Sequence, residues 1–142
     1  MNHIDELKSL HTREIDARNG YEEALVDAEG RGLSPLFLDM VALHDENARE
    51  ISDVLIRYGQ VADTEGSFMS VVNRTIMSMR ALFDGLGDGV LAGLIDGEKR
   101  NLAKYDETIQ EATLPAAVAE LLARQRGRLA QKVSAMEMQR AA

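Results

Sequence analysis

The chain has 142 residues, 45% of them hydrophobic, which is enough for one domain with a buried core and too apolar for a disordered chain. Its formal net charge of −8 disfavours broad binding to phosphate backbones. With no cysteine it has no disulfides, zinc–thiolate sites, iron–sulfur clusters or thiol chemistry.

Breakers divide the chain into helical blocks. The first block is predicted over 2–28 and ends before Glu29-Gly30-Arg31-Gly32, where glycines supply left-handed conformations. Ser34-Pro35 then opens a second block, with serine as cap and proline in the first turn. It runs to Tyr58, and Gly59 ends it. After a link over 60–66, Ser67 caps a shorter third helix over 68–83. The run Asp84-Gly85-Leu86-Gly87-Asp88-Gly89 separates that helix from a fourth over 90–112. Thr113-Leu114-Pro115 marks a tight turn, and Pro115 starts a fifth helix that runs to Met138. No segment alternates with period two, so no sheet is expected.

Four of these blocks span about 23 to 27 residues, roughly 35 to 40 Å at 1.5 Å per residue. Matched lengths predict an all-α, antiparallel four-helix bundle, a single domain over residues 1–142. The short third helix sits in the crossover between two helical hairpins. Seven methionines beside three tyrosines and three phenylalanines fit helices with an adaptable core. No apolar run approaches the roughly 18 to 20 residues of a membrane span. The start, Met1-Asn2-His3-Ile4-Asp5-Glu6, lacks the basic and apolar regions of a signal peptide. The expectation is a cytoplasmic protein of bacterial type, with neither nucleic acid nor membrane as a partner.

Two ionisable residues interrupt otherwise apolar stripes. His44 lies among Phe37, Met40, Val41, Ile51, Val54 and Leu55. Glu98 lies among Leu91, Leu94, Ile95, Leu102, Tyr105 and Ile109. An unpaired charge in such a setting is costly, so each must find a partner or change protonation state. Folding the first hairpin about residue 31 brings His44 level with Arg18. Folding the second near residue 113 brings Gln125 level with Leu102, one turn beyond Glu98. The inward side of the first helix adds His11, Glu14, Arg18, Tyr21 and Glu22; the second adds Asn47, the fourth Tyr105 and the fifth Gln125.

This layer supports two readings. As a metal centre, Glu14 or Glu22, His44 and Glu98 would ligate iron or manganese, since carboxylates and imidazoles from facing helices suit those ions. As a structural network, Glu98 would accept from Arg18, Tyr105 or His44, with Tyr21, Asn47 and Gln125 completing the set. The structural reading is preferred, because paired buried charges usually need no metal.

Gly20-Tyr21-Glu22-Glu23-Ala24, followed much later by Gly97-Glu98-x6-Tyr105, resembles a group of uncharacterised bacterial proteins in the ferritin-like superfamily. The resemblance covers nearly the whole chain. It implies a ferritin-like four-helix bundle and carries no established activity. The superfamily's di-iron pattern has a glutamate on each of two helices and Glu-x-x-His on the other two. Here Val41 stands three before His44, and the last helix reads Leu122-x-x-Gln125. Two bridging carboxylates are missing, which argues against ferroxidase or oxygenase chemistry.

Other signals are weaker. The glycine-rich run over 84–89 lacks the ligands of a calcium loop and the lysine of a phosphate loop. A phosphotransfer histidine would be exposed, whereas His44 lies on an apolar stripe. Arg124, Arg126, Arg128 and Lys132 give the fifth helix a basic stretch. That stretch fits paired surface charge, or a self-association patch in a homodimer. The expected function is a non-catalytic structural or binding bundle, with a metalloprotein and a phosphotransfer or adaptor bundle as alternatives.

Overall fold

The computed structural model describes residues 3–29, 32–60, 90–111 and 113–141. These form five helices: α1 (His3–Glu23), α2 (Leu25–Glu29), α3 (Ser34–Arg57), α4 (Val90–Glu111) and α5 (Ala116–Ala141). Among the described residues there is no strand. The expected short helix over 68–83 and the glycine-rich run over 84–89 lie outside them.

Local chemistry explains the boundaries. The first block is not one helix. It breaks at Ala24, one turn after Gly20, although Ala24 N–H still donates to Gly20 O at 3.2 Å. Glycine is among the weakest helix formers, and its position fits a break here. Gly32 (φ 72) carries the chain out of α2, the left-handed role its sequence position predicts. Ser34 does not cap α3. It is already helical, and Leu33 is the N-cap with no side-chain hydrogen bond. Pro35 sits in the first turn, where its missing N–H costs nothing. At the other end Gly59 (φ 80) closes a Schellman motif: Gly59 N–H donates to Ile56 O and Gln60 N–H to Leu55 O, both at 2.9 Å. Pro115 precedes α5, accepting at its carbonyl from Val118 and Ala119 N–H.

The long helices α1, α3, α4 and α5 make the bundle. α1 packs against α3 and α4, and α5 packs against the same two, so α3 and α4 face each other across the diagonal. Every neighbouring pair is antiparallel. Arg18 meets Asp45 and Glu14 meets His44; Tyr105 meets Gln125 and Lys99 meets Glu137; Tyr21 meets Glu98 and Glu6 meets Thr108. α3 and α4 therefore run parallel. Phe37 and Met40 share a core with Val90 and Leu94, while Ile51 and Val54 share one with Tyr105 and Ile109. The end of α3 and the start of α4 thus lie at opposite ends of the bundle.

The core has two large apolar parts and a small contact between Ile15 and Ala48. One holds Tyr21, Phe37, Met40, Val90, Leu94, Leu129, Val133 and Met136. The other holds Leu7, Leu10, Ile51, Leu55, Leu121 and Leu122. Between them lie the buried polar side chains of Glu14, His44, Asn47, Glu98 and Gln125. Outside, the basic residues of α5 find acids on its neighbours: Arg126 pairs with Asp106, Arg128 with Glu50 and Lys132 with Asp39. Such exposed pairs add at most about 1 kcal/mol each. No helix among the described residues is long and apolar enough to cross a membrane.

Candidate functional site

His44 occupies the centre of the polar layer with none of its surface exposed. Nδ1 lies 2.8 Å from Glu14 Oε2 on α1. Nε2 lies 2.7 Å from Glu98 Oε2 on α4, across the bundle diagonal. A ring nitrogen facing an ionised carboxylate must donate to it, and only the imidazolium has two donors. Burial favours the neutral ring, but the charges of Glu98 and Glu14 and their hydrogen bonds outweigh it and raise the His44 pKa to about 10.

Glu98 accepts three hydrogen bonds with its two oxygens, the first from His44. Its Oε2 also accepts from Tyr21 O–H at 2.8 Å, and its Oε1 accepts from Asn101 Nδ2 at 2.7 Å. Asn101 is held in turn by Arg13, whose Nε donates to Oδ1 at 3.0 Å. Burial would raise the Glu98 pKa; the His44 charge and these bonds lower it overall. The Tyr21 ring stacks on the His44 ring, with centroids 5.8 Å apart and planes 16° apart. Phe37 meets the same tyrosine edge-on at 5.0 Å. An imidazolium on an aromatic face gains a cation–π contribution as well. Burial first, and then the Glu98 charge, push the Tyr21 phenol well above its ordinary pKa, so it stays a donor.

The layer continues towards α5. Tyr105 O–H donates to Gln125 Oε1 at 2.9 Å; burial first, and then the Glu14 carboxylate, push the Tyr105 phenol well above its ordinary pKa. Gln125 Nε2 donates to the Asn47 carbonyl at 3.2 Å and to Glu50 Oε1 at 3.1 Å. Arg128 closes the outer end, donating from one nitrogen to Glu50 Oε1 at 2.7 Å and to Asn47 Oδ1 at 3.1 Å. Two sets of bonded side chains, one centred on His44 and one on Gln125, together link all four long helices.

The structure brings together Glu14, Tyr21, His44, Asn47, Glu98, Tyr105 and Gln125. It does not bring in Glu22, which is exposed. Tyr21 faces inward, and the next residue projects about 100° away on a helix. Arg18 does not reach Glu98; its guanidinium turns outward to Asp45 at 2.9 Å. Gln125 faces Tyr105 rather than Leu102, because the second hairpin turns slightly later than residue 113. Sequence reasoning missed Asn101, Arg13 and Glu50. Asn101 had one available signal: it lies at i+3 from Glu98, on the same face.

The donors do not converge as metal ligands would. Glu14 and Glu98 approach opposite edges of the imidazole, each carboxylate within hydrogen-bond distance of a different ring nitrogen. Among the described residues no group of three histidine or carboxylate side chains is arranged to hold a metal ion.

These features define an all-α bundle whose apolar core is divided by a buried, charged hydrogen-bonded layer. The family described as a domain of unknown function, DUF2383, matches residues 2–111, and the chain belongs to it. That match takes in α1 to α4, and with them Glu14, His44 and Glu98; α5, which supplies Gln125, lies beyond it. Searches of curated proteins and of solved structures return no match.

Proposed function

We propose that this protein is a ferritin-like bundle with a structural or binding role, in which a fixed imidazolium replaces a metal centre. The observation that carries this reading is the double engagement of His44, with a carboxylate from a different helix on each ring nitrogen. A histidine so held has no lone pair for a metal or for proton abstraction, and no exposed edge to accept a phosphoryl group. The ferritin-like part is supported by helix order: antiparallel hairpins α1–α3 and α4–α5 joined across parallel α3 and α4 match the one-crossover plan of ferritin-like folds. The reading extends to a homodimer in the cytoplasm, which sedimentation of the purified protein would test.

The deciding experiment is elemental analysis after expression in iron- and manganese-supplemented medium, alongside Glu98→Ala and His44→Ala. Substoichiometric metal in all three proteins is expected. Stoichiometric iron or manganese in the wild type, lost in both variants, would overturn the proposal and establish a metalloprotein.

A further inference from the structure

We draw no further inference here: the strongest candidate, the cleft of about 640 Å³ between the last turns of α3 and the first turns of α5, bordered by Glu50, Arg57, Tyr58, Leu121 and Arg124, carries nothing because its rim mixes both charge signs and nothing in the structure shows what covers it.

Discussion

At the residue scale, the protonation of His44 governs how the protein should respond to pH. Its pKa is raised from 6.5 to about 10, so its contribution to stability is complete below 6.5 and lost as pH rises through about 10. Buried His11 behaves oppositely. Burial first, and then the Arg18 charge, lower its pKa from 6.5, so its contribution is lost as pH falls below that value. Glu98, also lowered, adds a second acid-side loss below about 4.5. Stability should therefore peak near pH 6.5 and decline on both sides. Urea midpoints from pH 4 to 10 would check this, and His44→Gln should flatten the alkaline limb. A wild-type midpoint that keeps rising from pH 6.5 to 9 would contradict the assignment. Nitrogen-15 spectra give a direct reading: both His44 ring nitrogens should remain protonated at pH 8.

The same scale shows what can be read from sequence. His44 and Glu98 stood out because each is polar at the centre of an apolar arc, and both are buried and paired. Arg18 and Glu22 lie at the edges of such arcs, where a long side chain can swing to water and sequence spacing does not decide its direction. Spacing also says nothing about which atoms meet. It could not separate a ring nitrogen that ligates from one that donates to a carboxylate, and that difference decides between metal centre and ion pair. The Glu98 series measures what those contacts contribute. Glu98→Leu removes one of the two carboxylates that hold the buried imidazolium and leaves Nε2 without an acceptor, which should cost about 3–5 kcal/mol. Glu98→Gln keeps an acceptor for His44 and should cost less, about 1–3 kcal/mol, as read by chemical denaturation. Equal losses would mean that Glu98 is not embedded in a network.

At the element scale, breakers placed the helix ends among the described residues well; the errors lie in the break at Ala24 inside the first block and in the cap of α3. Gly32 and Gly59 take positive φ because the chain must turn there, and the sequence signal for that is strong. Ser34 carries the usual cap signal, yet the helix begins one residue earlier. Leu33 is itself buried at 8% exposure, and its carbonyl accepts from Phe37 N–H at 3.0 Å. Burying Leu33 in the core therefore outranks the serine cap. At Gly59 no neighbour would touch an added Cβ, so substitution there isolates the backbone term. Gly59→Ala should destabilise by about 1–2 kcal/mol through left-handed strain alone. Ser34→Ala should change stability by less than about 0.5 kcal/mol, because no cap bond is lost. Thermal melts of the two variants would separate them, and a larger loss for Ser34→Ala would overturn the capping assignment.

At the scale of the whole molecule, the polar layer divides the bundle into two apolar halves and ties four helices at one level. Apolar packing alone leaves helices free to slip by a turn at little cost, since Leu, Val and Met contacts are interchangeable. The bonds of His44 are not interchangeable. A slip of one turn, about 5.4 Å, would separate each 2.7–2.8 Å contact and leave buried charges unpaired. The layer thus penalises wrong registers more than it stabilises the right one. Two carboxylates around one imidazolium leave a net negative charge in the core, moderated by the Tyr21 and Asn101 donors. Replacing the whole set removes both the desolvation cost and the penalty for slipping. The triple variant Glu14→Leu, His44→Leu, Glu98→Leu should therefore match or exceed the wild type in thermal stability, unlike Glu98→Leu alone. It should also lose the single register, seen as broadened and multiplied amide resonances. A triple variant less stable than the single one would show that the ion pairs stabilise the fold outright. Equal stability with one sharp set of resonances would show that the apolar cores fix the register without them.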